Sequence, residues 1–187
     1  MKRKLVAAIA CRNESSRLFA KPLHYIDITK RITIIEFIIR RLKKNKCINE
    51  IILGISKNKG NEIYLQIAKK FKIKYVLGND HNVLSRLVAC GNATKATDIF
   101  RITSESPFTY LENLKKSLKI HYKNNNDATF FDNVIDGCGY EIIKLKSLKI
   151  SLLNGTKQDR SELCTRYIRC NKNKFKIMFI KNLIIKA

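Results

Sequence analysis

The chain has 187 residues, 45% of them hydrophobic, enough for one globular domain with a real core, and no apolar run approaches the ~18 residues of a membrane span. Its 38 Lys and Arg against 15 Asp and Glu give a formal charge of +23, but the cations are scattered and lack the interleaved aromatics of a single-strand binder, so nucleic acid is not the expected partner. The six cysteines contain no CxxC and fit neither a zinc site nor a disulfide framework, which leaves reduced thiols in a cytoplasmic protein as the expectation.

Residues 5–10 are continuously apolar, as a strand buried on both faces should be. An irregular loop follows, and Ile35, Ile38, Ile39 and Leu42 then fall at the spacing of an amphipathic helix with a cationic last turn. "EIILGIS" (50–56) reads as a second buried strand. Ile63, Tyr64, Ile67, Ala68 and Phe71 mark a second helix, and "KYVLG" (74–78) a third strand. "NDHN" (79–82) is turn chemistry, with a helical pattern from Val83 to about Ala96 after it. "DIFRIT" (98–103) predicts a fourth strand, and Leu111, Leu114 and Leu118 a helix face. "YKNNND" (122–127) reads as a polar linker, while "DATFF" (127–131) and "GYEIIKL" (139–145) are further strands. The tail holds a short apolar segment, 175–185, that reads as a last strand or an unfinished element.

Strands alternating with helices predict an α/β fold: a three-layer, doubly wound, mostly parallel sheet forming a single domain over 1–187. Ligands of such sheets bind beyond the carboxyl ends of the strands. The loop after the first strand, "ACRNESSRLFAKPL" (10–23), lies at such an end and carries Arg12, Arg17 and Lys21. Arg offers a planar fork and Lys a point charge to phosphate oxygens, and Ser15 and Ser16 add hydroxyl and backbone donors. A polyanion such as a triphosphate suits this loop; a solvated basic loop is the plainer reading of the spacing by itself.

The same stretch resembles the N-terminal signature A-R-x-G-S-x-R-L-P-x-K of the cytidylyltransferase-like nucleotidyltransferases, in particular the acylneuraminate and spore-coat polysaccharide type. Arg12, Ser15, Arg17, Leu18 and Lys21 are in register. The resemblance continues in order. Asp80, Val83, Leu84 and Arg86 resemble an E-D-D-V-L-x-R block; Asp98, Arg101, Thr103 and Pro107 match D-x-x-x-R-x-T-G-D-x-P. Asp136, Gly137 and Glu141 match D-G-x-x-x-E, and "RYIRCNKNKFKI" (166–177) resembles Y-I-R-x-x-P-x-x-F-K-I.

The resemblance implies a nucleotide-diphospho-sugar-transferase-like fold and transfer of CMP from CTP to an acidic sugar, with release of pyrophosphate, for a surface polysaccharide. It implies CTP and a sugar as substrates, Mg²⁺ as the metal and a homodimer. It assigns Arg12, Arg17 and Lys21 to catalysis on the triphosphate. Ser15, Ser16, Asn82 and Arg86 fall to the nucleotide, Arg101 and Glu141 to the sugar, and Glu105 to the metal. Three departures bear on activity. Glu14 replaces the loop glycine and sets a carboxylate beside the phosphates; Ser104-Glu105 replace Gly-Asp; and the acid-bearing segment expected after F-K-I is not matched after Ile177. The segment after about 177 is therefore expected to be atypical or incomplete. An inactive nucleotide-binding remnant and a basic nucleic-acid-binding module remain as alternatives.

Other residues have plainer readings. Asp80, Asp98 and Asp136 suit turns or caps, and Asp132 a strand end or a metal ligand. Phe108, Tyr110 and Leu111 suit the core. His24, His81 and His121 show no metal spacing, and His24 reads as a surface imidazole.

Overall fold

The computed structural model describes residues 3–14 and 18–180. Ser15, Ser16 and Arg17, assigned above to the phosphate loop, lie outside the described residues, as does the chain after Ile180.

Seven strands form the main sheet: β1 (Leu5–Cys11), β4 (Glu50–Ser56), β5 (Lys74–Gly78), β6 (Asp98–Thr103), β7 (Ala128–Phe131), β8 (Tyr140–Lys144) and β9 (Ile177–Phe179). A two-stranded hairpin, β2 (Tyr25–Asp27) and β3 (Ile32–Thr33), stands apart. The order across the sheet is β5-β4-β1-β6-β8-β7-β9. β8 runs antiparallel to both its neighbours, and the other main-sheet pairings are parallel. The mostly parallel expectation therefore holds, with one reversed strand that the sequence did not disclose.

Alternation along β1 explains its unbroken apolar run. Leu5, Ala7 and Ile9 face one core, with Ile51, Leu53, Phe100 and Ile142. That face is covered by α1 (Ile34–Lys44), α2 (Ile63–Phe71) and α4 (Leu114–Lys123). Val6 and Ala8 face the other core, under α3 (Val83–Ala93), α5 (Leu145–Asn154) and α6 (Arg166–Cys170). Both faces being buried, no polar alternation survives in the strand.

Local chemistry sets the boundaries. Thr33 caps α1, its hydroxyl accepting from the Glu36 N–H at 3.4 Å while the Glu36 carboxylate accepts from the Thr33 N–H at 3.1 Å. The helix expected to run to Ala96 ends at Ala93, and Lys95 takes a positive φ of 52° just beyond. Gly91 does not break this helix. A Cβ there would come within 2.4 Å of Leu145 Cδ1, so the missing side chain lets α3 and α5 approach. The strand expected to reach Leu145 stops at Lys144, and α5 begins at once. The helix expected at Leu111 opens as one 3-10 turn, Leu111–Asn113, before α4. Phe108 is a correction: it is exposed, pairing edge-on with Phe37, rather than part of the core.

Asp98 is more than a turn residue. It is buried, and its Oδ1 lies 3.0 Å from His121 Nε2, with His121 wholly buried. A consistent donor chain runs from the Asn126 amide to Thr129 Oγ1 (3.2 Å), from that hydroxyl to His121 Nδ1 (2.8 Å), and from Nε2 to Asp98. Thr97 Oγ1 donates to the other oxygen of Asp98 at 2.7 Å. This network ties β6 to α4 and β7. Replacing His121 by Leu strips a buried carboxylate of its main partner and should lower the unfolding free energy by ~3–5 kcal/mol in a denaturant titration. Asp98→Asn, which keeps a partner for the ring, should cost less.

Candidate active site

The chain leaves β1 for β4 on one side and returns from β5 to β6 on the other, so the order reverses between β1 and β6. In open α/β sheets that reversal opens a crevice beyond the strand ends. Two adjoining cavities lie there, of about 270 and 720 Å³, sharing a wall made by Lys21, Arg101 to Thr103, and Glu105.

The smaller cavity sits under the loop after β1. Several contacts shape that loop. The Tyr64 hydroxyl donates to the Arg12 carbonyl at 3.2 Å, and the Asn13 N–H donates to Asn61 Oδ1 at 2.8 Å. The Asn13 side-chain amide donates to the Gly60 carbonyl. The Ala20 N–H closes the loop on the Asn13 carbonyl at 2.8 Å, with Ala20 itself at a positive φ of 51°. Pro22, with its fixed φ, opens the 3-10 turn Lys21–Leu23 that presents Lys21. Asn13 and Asn61 carry no signal in the sequence, where an Asn-rich chain hides two structural amides, and Tyr64 reads there only as part of a helix face.

Arg86 lies beneath this loop and is 1% exposed. Its Nη1 donates to the Cys11 carbonyl at 3.1 Å, at the end of β1, and its Nη2 to the Asp80 carbonyl at 3.5 Å. Gly78 and Gly54 make room for it; a Cβ on Gly78 would sit 2.6 Å from Arg86 Cγ. Burial pulls the guanidinium's pKa down, opposed by Cys11 and Asp80. Among the described residues Arg86 Nε, Asp80 Oδ1 and the buried Asn13 Oδ1 have no hydrogen-bond partner. Burial also drives the Cys11 thiol up, and the Cys90 thiol up to about 12, so both stay protonated and act as small packing groups.

The cations at the cavity mouth are not free. Arg12 forms an ion pair with Glu162, which reaches in from the segment between α5 and α6. Lys21 Nζ lies 3.5 Å from Glu105 Oε2. Glu14 also lines this cavity, and its Oε2 lies 3.5 Å from the Asn61 amide. Among the described residues no three acid, His or Cys side chains converge as a metal cage. An ion arriving on triphosphate oxygens needs only one or two protein carboxylates, which Glu105 can supply.

In the larger cavity, Glu141 is the anchor. Arg101 Nη1 donates to its Oε2 at 3.0 Å; Arg169 Nη2 and Thr165 Oγ1 donate to its Oε1 at 2.8 and 2.9 Å. Burial alone would raise this carboxyl's pKa, but Arg101, Arg169 and Thr165 hold it below the usual range. The Arg169 guanidinium lies 3.6 Å over the Phe130 ring and pairs with the more exposed Asp132 at 2.6 Å. Asp136 and Gly137 complete the outer rim.

The structure thus gathers Arg12, Lys21, Arg86, Arg101 and Glu105 around one cavity, and Arg101, Glu105 and Glu141 around the other. Asn82 is not on either wall. Its side-chain oxygen accepts from the Ser85 N–H at 2.9 Å and caps α3, the physical use of an Asn before a helix. Glu162 gave no signal in sequence, since its partner Arg12 is 150 residues away.

A family model described as Cytidylyltransferase matches residues 6–186. The spore coat polysaccharide biosynthesis protein SpsF of Bacillus subtilis is 23% identical over 178 residues, covering 92% of this chain and 73% of that protein. A cytidylyltransferase from Leptospira borgpetersenii superposes with a TM-score of 0.86 at 22% identity, over 97% of this chain and 77% of that one. CMP:2-keto-3-deoxy-manno-octonic acid synthetase complexed with CTP superposes with a TM-score of 0.69 at 15% identity, over 95% and 89% of the two chains.

Replacing Arg86 by Met keeps the stem but removes the donor to Cys11. Stability should fall by ~1–3 kcal/mol, and amide exchange at residues 12–14 should quicken. Gly78→Ala should give a milder version of both effects.

Proposed function

The chain belongs to the cytidylyltransferase family, and from that premise we propose that it transfers CMP from CTP to a hydroxyl of an acidic sugar, releasing pyrophosphate, for a surface polysaccharide. The observation that carries this reading is the convergence of Arg12, Lys21, Arg86, Arg101 and Glu105 on one cavity at the sheet's switch point. A larger, adjoining cavity is a fitting place for the acceptor. Similarity to SpsF supports the polysaccharide role, and the CTP carried by a structural neighbour supports the nucleotide.

In this reading the triphosphate lies under the loop after β1. Arg12 and Lys21 take its oxygens in place of their carboxylate partners, and Arg17 shares that work. Ser15 and Ser16 add donors. Arg86 stays beneath, holding the end of β1 against the turn before α3. The acceptor hydroxyl oxygen bonds to the α-phosphorus, the bond to the bridging oxygen breaks, pyrophosphate leaves, and the hydroxyl proton passes to water. Such transfer depends chiefly on alignment and on neutralising charge, which fixed guanidinium and ammonium groups provide. A divalent cation, expected to be Mg²⁺, would be held by Glu105 together with phosphate oxygens and would supply further charge neutralisation.

The acceptor's carboxylate would meet Arg169. That guanidinium keeps one nitrogen on buried Glu141, and its other partner, Asp132, is exposed enough to yield. Arg101 and Glu141 then act as the rigid floor on which Arg169 is mounted. We further propose a homodimer of single-domain chains acting in the cytoplasm.

A pyrophosphate-release assay with CTP, Mg²⁺ and a panel of sugars tests the reading. Turnover with a sugar acid and not with its neutral counterpart is expected; saturable CTP binding without turnover on any sugar would instead favour an inactive remnant. Arg12→Ala and Lys21→Ala should each weaken CTP binding by ~1.5–3 kcal/mol, while Lys119→Ala, on the exposed face of α4, should leave it unchanged. Arg169→Gln should raise the KM for the sugar and spare that for CTP.

A further inference from the structure

Arg12 already holds a carboxylate. Its guanidinium is about 70% covered, and its Nη2 is taken by Oε1 of Glu162, whose side chain remains mostly exposed. A carboxylate presents two oxygens to an arginine much as a phosphate does. The two groups therefore compete for one position on the cavity wall.

The segment carrying Glu162 is firmly seated. The Glu162 carbonyl accepts from Arg101 Nη2 at 3.1 Å. Two residues on, Cys164 is fully buried, and Thr165 is tied to Glu141. Upstream, buried Asp159 accepts from the Thr156 N–H and hydroxyl, both at 2.8 Å, and pairs with Arg166. The backbone is thus pinned on both sides, while the glutamate side chain can rotate into solvent. That combination suits a side chain that must leave one partner and return to it without moving the fold.

We propose that Glu162 is a phosphate surrogate: its carboxylate holds Arg12 in place until the triphosphate displaces it, and recaptures Arg12 as pyrophosphate departs. The inference rests on the reading of Arg12 as a triphosphate contact. Breaking so exposed a pair costs little, and the triphosphate brings more negative charge than the one carboxylate it replaces. Glu162 therefore lowers affinity for the nucleotide modestly and lowers affinity for the leaving pyrophosphate by the same route. It acts as a positioning residue, since it reaches the substrate only through Arg12.

Glu162→Gln removes the charge with almost no change in shape. On the full chain, calorimetric titration should show both CTP and inorganic pyrophosphate binding about two- to fivefold tighter than to the parent, the range expected for loss of an exposed pair. In an Arg12→Ala background the same change should have no effect on either affinity. Glu162→Ala, with its thermal midpoint recorded beside it, should show the same tightening. Unchanged or weaker binding in folded Glu162 variants would overturn the proposal, as would a tightening that persists without Arg12. Pyrophosphate binding that tightens while CTP fails to bind would sink the nucleotide assignment and leave this inference standing. Failure of parent and variants to bind either probe would overturn both.

Discussion

A buried guanidinium ties the end of β1 to the turn before α3 beneath this site. Arg86 has no room to exchange with solvent and must satisfy its donors inside the protein. Its Nη1 and Nη2 do so on main-chain carbonyls, one from the end of β1 and one from the turn before α3, while Nε has no partner among the described residues. A carbonyl cannot titrate away and moves only with its strand, so these bonds fix the exit direction of the loop after β1. Two glycines, Gly54 on β4 and Gly78 on β5, exist in a form that leaves space for the arginine stem. The described start of the loop after β1 is therefore positioned from below by three strands and a helix. The polar wall of Asn13, Asn61 and Tyr64 does from the side what Arg86 does from beneath.

Charge in the crevice is arranged differently from charge on the chain as a whole. The formal +23 would suggest an open basic basin. Instead Arg12, Lys21, Arg101 and Arg169 each face a carboxylate. These pairs are of two kinds. Arg101 to Glu141 is largely covered, and breaking it would strand a buried charge. Arg12 to Glu162, Lys21 to Glu105 and Arg169 to Asp132 have exposed acid partners and part at small cost. The first kind builds the floor; the second leaves cations oriented yet exchangeable. An anion must then match position as well as sign to win its place.

Much of the fold could be read along the chain, for a simple reason. Strands buried on both faces are apolar runs, and β4 begins and ends where its run does; the edge strand β5 and the more polar β6 were also bounded correctly from sequence. What could not be read depends on partners far away in sequence. The reversal of β8 is decided by pairing with β6 and β7, and its own residues look like those of any strand. Helix α5 starts directly at the end of β8 without a breaker, and the short α6 carries little periodicity of its own. Within the site, Arg12 and Lys21 stood out as cations on the loop after a buried strand, whereas Arg86, Arg101 and Glu105 came only from the family resemblance. Glu162 did not stand out, because one acid in a polar segment has many uses. Asn82 has a structural use that its position next to Val83 already suggests: a helix start has first claim on such a side chain.

The same distinction would let a strongly basic protein select one kind of anion, as the proposed function requires. Cations on exposed helix faces attract any polyanion, and that attraction fades within a Debye length and weakens as salt rises. The crevice cations sit against low-dielectric walls with short, directed partners, so their interactions are screened less. Diffuse charge thus brings an anion near, whereas the paired crevice tests it. Because each exposed acid must be displaced, a lone monoanion gains nothing over the carboxylate it replaces. A triphosphate reaches several paired cations at once, and only such a ligand recovers more than it disrupts. Selectivity for a multiply charged, extended anion then follows from the carboxylates in the site as much as from its arginines and lysines.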